Sequence, residues 1–267
     1  GVYIPFTVSA NAHALGDEPD QVPEVPSYLN GMYFDELYHG RTAYEHLNGI
    51  SPYENSHPPL GKVIISIGIA IFGMNTIGWR IMGVLFGIGM VPIMYVFGKR
   101  LFKKSEFALL AAGLFTFDFM HFTQTRIATI DTYGVFFILL MFYYMYQYYC
   151  MNFHVDGLKK TLKPLALAGL FFGLGAASKW ICFYAGAGLA IILFTSLVKR
   201  YTEYKQCMDH GTAKEREAVQ GYWKKTWLTL GWCCVFYIAV PAVIYLASYI
   251  PYLVCAVSYT HLRARET

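Results

Sequence analysis

Hydrophobic positions in this chain come in long blocks rather than in the alternating or amphipathic patterns of a soluble fold. Six blocks stand out: Gly78 to Gly98, Phe107 to Phe122, Ile127 to Tyr149, Pro164 to Ala177, Ile181 to Val198 and Trp227 to Tyr249. A helix needs about 20 apolar residues to cross a hydrocarbon core. The pattern therefore predicts an all-α, polytopic transmembrane bundle of about six spans. The second and fourth blocks are short, so they read as paired hairpins or as spans lengthened by polar residues at their ends. The run from Val63 to Gly73 would make a helix only about 16 Å long, and it predicts an interfacial or re-entrant helix. Before it, Tyr28 to Gly49 reads as one or two short helices that rest Tyr33, Leu37, Tyr44 and Leu47 on the membrane-embedded part.

Composition agrees. The chain is 56% hydrophobic and 14% charged, with a mean hydropathy of +0.38, against the roughly 25% charged residues of soluble domains. The six cysteines lack the paired spacings of a zinc site and read as small apolar side chains. The net charge of +4 does not point to nucleic acid, because its basic residues are not interleaved with exposed aromatics. Instead, 14 of the 21 Lys and Arg fall in alternate loops, after the first, third and fifth blocks. By the positive-inside rule those loops are cytoplasmic, and the polar segments before Gly78 face the extracytoplasmic or lumenal side. The aromatic cluster Phe142 to Tyr149 fits a membrane-interface belt.

Four segments follow. Residues 1–27 are an extracytoplasmic linker, acidic and proline-rich from Gly16 to Pro26, and the start at Gly without a signal-peptide pattern reads as a fragment. Residues 28–77 form an outer loop with interfacial helices, and 78–250 form the bundle. Residues 256–267, where hydrophobicity stops abruptly, read as a non-native tail and are set aside.

Two polar islands precede the bundle: Phe34-Asp35-Glu36 and His57-Pro58-Pro59-Leu60-Gly61-Lys62. Asp35 and Glu36 are adjacent and point in different directions, so one suits a base and the other an orienting or structural role; two solvated acids are the plainer alternative. The two prolines stiffen the path between His57 and Lys62. Lys62, in the first turn of a helix, is misplaced for the helix dipole, a conflict that a bound anion such as phosphate would remove. Charged residues against a bilayer cost about 2.5–3.5 kcal/mol each on insertion scales and tend to line cavities. Arg80, Arg126, Asp131 and Lys179 qualify, with snorkelling or structural ion pairing as the alternatives. Arg126 and Asp131 could brace a span, and Asp118 with His121 fits a local hydrogen bond. No metal ligand set emerges.

These motifs, in the order Phe34-Asp35-Glu36, His57 to Lys62, Trp79-Arg80-Ile81-Met82, Thr123-Gln124-Thr125-Arg126 with Asp131, and Ser178-Lys179-Trp180, resemble the protein O-mannosyltransferases of glycosyltransferase family 39. The resemblance covers about Tyr33 to Pro251. It implies a GT-C membrane fold and transfer of a sugar, typically mannose, from a polyprenyl-phosphate donor to Ser or Thr hydroxyls of exported proteins, with inversion. Within it, Asp35 and Glu36 correspond to the catalytic acidic pair and Arg80 to the donor-phosphate arginine, with Lys62 and His57 in support and Arg126, Asp131 and Lys179 as further supporting residues. Asp35 and Arg80 are then the expected functional couple. Membrane lipid, a lipid-linked donor and a protein acceptor are the implied partners. The rival expectations are a GT-C transferase acting on a glycolipid or cell-wall polymer, a transporter, and a non-catalytic subunit. A span before the acidic loop and the C-terminal spans expected of the family are missing from the sequence.

Overall fold

The computed structural model describes residues 32–253 apart from Phe34. The linker, the tail and Phe34 lie outside the described residues. All regular structure there is helical: α1 (Glu36–Asn48), α2 (Leu60–Phe72), α3 (Thr76–Phe102), α4 (Ser105–Thr116), α5 (Phe119–Gln124), α6 (Asp131–Tyr149), α7 (Leu158–Ser178), α8 (Ile181–His210), α9 (Ala213–Ala218), α10 (Tyr222–Cys234), a π-helical turn (Val235–Ala239) and α11 (Val240–Ser248). Four stretches are long and apolar enough to cross a membrane: Thr76–Phe102, Leu158–Ser178, Ile181–His210 and Ala213–Ser248. This is an all-α membrane bundle, with fewer such stretches than the six blocks predict. The second block breaks at Phe117-Asp118 into α4 and α5, because Asp118 accepts the His121 N–H at 2.8 Å and starts a new helix. The third becomes the 19-residue α6, whose six tyrosines lower its hydropathy.

The described residues divide into two compact units, one of residues up to 133 together with those from 247 on, and one of residues 134–246. In the first, α1 packs on α2, α2 on α3 and α3 on α4. Asn75 caps α3 by accepting the N–H groups of Ile77 and Gly78, both at 3.0 Å. Helix α3 carries Gly83 and Gly87 against the segment after α5: a Cβ on Gly87 would lie 2.6 Å from the Thr125 Cβ. That close approach seats Thr125–Ile130 on α3 and buries Ala128, Thr129 and Ile130.

Helix α1 buries a largely polar face. It turns Glu36, His39, Arg41, Thr42 and Glu45 inward, while Leu37 and Tyr44 are half-buried and Leu47, like Tyr33 before the helix, is exposed. The reason is ion pairing: its buried charges have partners inside the protein, so the apolar side chains are free to face outward. Gly49, with φ 65°, ends the helix in the left-handed region.

In the second unit, Met141, Met145 and Tyr148 of α6, Leu165, Ala168 and Phe172 of α7, Leu189, Leu193 and Leu197 of α8 and Tyr222 of α10 form one apolar core. Arg200 is buried there. It donates to the Tyr148 hydroxyl at 2.5 Å and to the carbonyls of Tyr148 (3.3 Å) and Met151 (2.8 Å), and lies over the rings of Tyr148 and Phe153.

Candidate active site

The buried charged side chains of the first unit lie on α1 and at the start of α2. Glu36 is fully buried and accepts four hydrogen bonds. Arg80 of α3 donates Nε to Oε1 at 2.7 Å and Nη2 to Oε2 at 2.6 Å, while the backbone N–H groups of Ala128 (2.8 Å) and Tyr33 (2.9 Å) complete the set. One carboxylate thus joins α1, α3 and the loop before α6. Paired, bidentate contact with a guanidinium is the strongest kind of charge-assisted hydrogen bond. The expected couple was Asp35 with Arg80; the ion pair that forms is Glu36 with Arg80. The Arg80 side chain keeps 28% of its surface exposed, and its Nη1 makes no hydrogen bond with the described residues.

A second cluster lies in the loop after α1. The Lys62 ammonium, buried in the first turn of α2, pairs with the Glu54 carboxylate and donates to the carbonyls of Glu54 (3.0 Å) and His57 (3.2 Å). The anion expected beside Lys62 is therefore supplied by the chain itself. Burial would raise the Glu54 carboxyl, but the hydrogen bonds from Lys62 and Ser56 hold it down to about 2. Burial pushes Lys62 down, and Glu54 opposes that shift. Glu54 Oε1 also accepts from Ser56 N (2.6 Å) and His57 N (3.1 Å). Together with Pro58 and Pro59, these bonds hold His57 at a defined point. Tyr252 donates to the Glu54 carbonyl at 2.8 Å and ties the end of the described chain to this loop.

Behind these lies a third pair, Arg41 Nε to Glu45 Oε1 at 2.7 Å, both side chains buried. Tyr53 N–H donates to Glu45 Oε2 at 2.7 Å, and the Arg41 guanidinium lies 4.5 Å from the centre of the Tyr53 ring. Burial raises the Glu45 carboxyl, against the pull of these donors.

Asp35 stands at the N-terminus of α1, partly exposed. Asp131 opens α6, and its charge reaches His39. Arg126 is exposed and stacks over Phe122 at 4.6 Å. Lys179 caps the C-terminus of α7 in the second compact unit. The structure therefore brings Glu36 together with Arg80, and Lys62 together with His57, while the charges of Lys62, His57 and Asp131 reach His39. Sequence reasoning missed Glu54, the Arg41–Glu45 pair and His39. The i,i+4 spacing of Arg41 and Glu45 was a usable signal; Glu54, eight residues before Lys62 in a polar loop, gave none. Among the described residues no group of three His, Cys, Asp or Glu is placed to hold a metal ion. An apolar cavity of about 400 Å³ in the second unit has no charged side chain in its wall, so it offers nothing to a phosphate.

An all-α membrane bundle that carries three ion pairs around one short helix and its following loop belongs to the class of integral membrane proteins with a built polar site. A family model described as dolichyl-phosphate-mannose-protein mannosyltransferase matches residues 68–254, and the chain belongs to that family. It is similar to the polyprenol-phosphate-mannose–protein mannosyltransferase of Mycolicibacterium smegmatis, 26% identical over 255 residues, covering 85% of this chain and 46% of that protein. The protein of the same name from Mycobacterium tuberculosis is 33% identical over 115 residues, or 41% of this chain and 22% of that protein. Dolichyl-phosphate-mannose–protein mannosyltransferase 6 of Candida albicans is 22% identical over 247 residues, 82% of this chain and 28% of that protein. The chain spans less than half the length of these relatives. No solved structure matches it. The matched stretch includes Arg80, Arg126, Asp131 and Lys179; Asp35, Glu36, His57 and Lys62 precede it.

Proposed function

We propose that the protein transfers a mannosyl residue from a polyprenyl-phosphate donor to Ser or Thr hydroxyls of exported proteins, at a site on the extracytoplasmic face. The observation that carries this reading is the Glu36–Arg80 pair. Glu36 occupies Nε and Nη2 of Arg80 and leaves the Nη1 edge, on a partly exposed side chain, for an anion. A guanidinium fixed in this way is suited to a phosphate that gains charge as the sugar departs. Family membership and the names of the relatives support the donor and the acceptor class.

In this reading Asp35, the acid not used to hold Arg80, removes the acceptor hydroxyl's proton while the acceptor oxygen attacks the anomeric carbon. Because phosphate is a good leaving group, no carboxylic acid is needed to protonate the departing oxygen, unlike glycoside hydrolysis. Direct displacement inverts the anomeric centre. Lys62 has its three donors committed within the chain, so it shapes the loop that presents His57, and Arg80 is the principal phosphate contact. Asp131 lends negative charge near α1. Arg126, exposed beside Phe122, and Lys179, at the end of α7, are the remaining supporting candidates. The distribution of Lys and Arg supports the extracytoplasmic placement.

The test uses membranes carrying the protein, labelled polyprenyl-phosphate mannose and a Ser/Thr-rich acceptor peptide. Label should enter the peptide, and Asp35→Asn should lower transfer by about 10²- to 10⁴-fold with donor binding unchanged. Label appearing only in lipid would assign the acceptor to the glycolipid class, and full activity of Asp35→Asn would remove Asp35 as base.

A further inference from the structure

Between α4 and α6 the chain presents a surface that the transfer scheme does not use. Four large apolar side chains there face outward: Phe117 is 89% exposed, Phe119 81%, Met120 71% and Phe122 52%. Arg126 follows, also exposed, with its guanidinium 4.6 Å from the centre of the Phe122 ring. No carboxylate among the described residues pairs with it. Asp118, the one acid of the stretch, is taken up at the far end of α5, where it accepts the His121 N–H at 2.8 Å. A cation is left on the rim of an outward apolar patch.

Helix α3 serves as a ruler for the depth of that patch. A Cβ on Gly98 would sit 3.2 Å from the Ala108 Cα near the start of α4, and one on Gly87 2.6 Å from the Thr125 Cβ. Gly87 precedes Gly98 by eleven residues, a rise of about 16 Å, and Gly98 adjoins Lys99 and Arg100 at the basic end of the helix. In a hydrocarbon layer about 30 Å thick, Thr125 then falls within the leaflet on the Arg80 side, below its headgroups. The exposed phenyl rings suit that depth. An unpaired guanidinium does not, unless it reaches up and a phosphate comes down to meet it.

We propose that residues 117–126 form a binding site for an anionic phospholipid. Arg126 donates paired N–H bonds to the lipid phosphate, the contact a guanidinium makes best, while Phe117, Phe119 and Met120 lie among the acyl chains. Phe122 backs the guanidinium through a cation–π contact, which strengthens away from water. A lipid suits this surface better than free phosphate, because the cation and the apolar side chains adjoin. Two residues after Arg126, the Ala128 N–H meets Glu36 Oε1 at 2.8 Å, so a lipid seated here steadies the stretch that reaches the Glu36–Arg80 pair. Neither donor nor acceptor enters the site, which stands or falls independently of the transferase reading.

The experiment follows the melting temperature of the protein in detergent during titration with dioleoylphosphatidylglycerol. Dioleoylglycerol, glycerophosphoglycerol, inorganic phosphate and a polyprenyl phosphate form separate arms. Phosphatidylglycerol should raise the melting temperature, because a ligand of the folded state stabilises it; the lipid without phosphate, the headgroup without chains and free phosphate should not. Arg126→Gln should weaken the tightest binding step by about tenfold, and Arg126→Lys by less. Phe119→Ser should also weaken it, with the melting temperature in the absence of lipid unchanged. Unaltered phosphatidylglycerol affinity in Arg126→Gln overturns the site, as does unaltered affinity in Phe119→Ser should the first variant fail to fold. An equal response to inorganic phosphate overturns it too, and a response to polyprenyl phosphate alone would assign Arg126 to the donor instead.

Discussion

The two compact units treat buried charge in opposite ways. In the first, Glu36, Glu45 and Glu54 each meet a cation, Arg80, Arg41 and Lys62 respectively, and backbone N–H groups fill remaining lone pairs. In the second, Arg200 is buried with no carboxylate partner among the described residues; a phenol, two carbonyls and two aromatic faces take its place. Buried ion pairs contribute little net stability, because desolvation offsets attraction, yet breaking one is costly. The first arrangement therefore serves to fix loops in space. The second joins the end of α6 to α8 without building anything that could turn over a substrate.

The sharpest way to break this contrast is Glu36→Ala. It strands a partly buried guanidinium and two backbone donors, so we expect a loss of about 3–5 kcal/mol in denaturant melts and no measurable transfer. Arg200→Ala should cost on the order of 3 kcal/mol, since two carbonyls and a hydroxyl lose their donor, yet activity per folded molecule should be unchanged. Equal losses of activity in the two variants would erase the distinction between the units.

Acid should act mainly on the first unit, in two stages. His39 and His46 are both lowered from 6.5 to about 4, by burial and then Lys62. Between those values the unfolded chain binds protons that the folded one does not, so stability falls as pH drops from about 6.5 to about 4. Glu54, held near 2 against an ordinary 4.5, gives a second loss as pH falls from about 4.5 towards 2. Melting temperature followed across this range should show both, and Glu54→Gln should remove the lower stage. The smallest effect is expected from Asn75→Ala, which removes the cap of α3 and should cost about 1 kcal/mol in the same melts.

Hydropathy located the long helices well because burial in lipid leaves a contiguous record. The block from Gly78 to Gly98 became Thr76–Phe102, and that from Ile181 to Val198 grew to Ile181–His210, since the polar continuation through Lys199–His210 stays helical after its apolar stretch ends. The site was legible only in its parts. Asp35, Glu36, His57, Lys62 and Arg80 could be named, but which acid holds Arg80 depends on a contact across 44 residues, and no local periodicity records such a pairing. Helix α1 misled for the same reason. Its inward face is polar, and an apolar-in rule fails where charges are paired across the chain.

Glu36 is also a clock. Its partners emerge from the ribosome at widely separated times, Arg80 44 residues later and Ala128 92 residues later. At about 5–20 residues per second, the carboxylate waits roughly 5–18 s for its last hydrogen bond. During that interval α3 and α4 must insert and the Thr125–Ile130 segment must return to α1. The order of membrane insertion, more than the strength of any one pair, then decides whether a nascent chain acquires a working site.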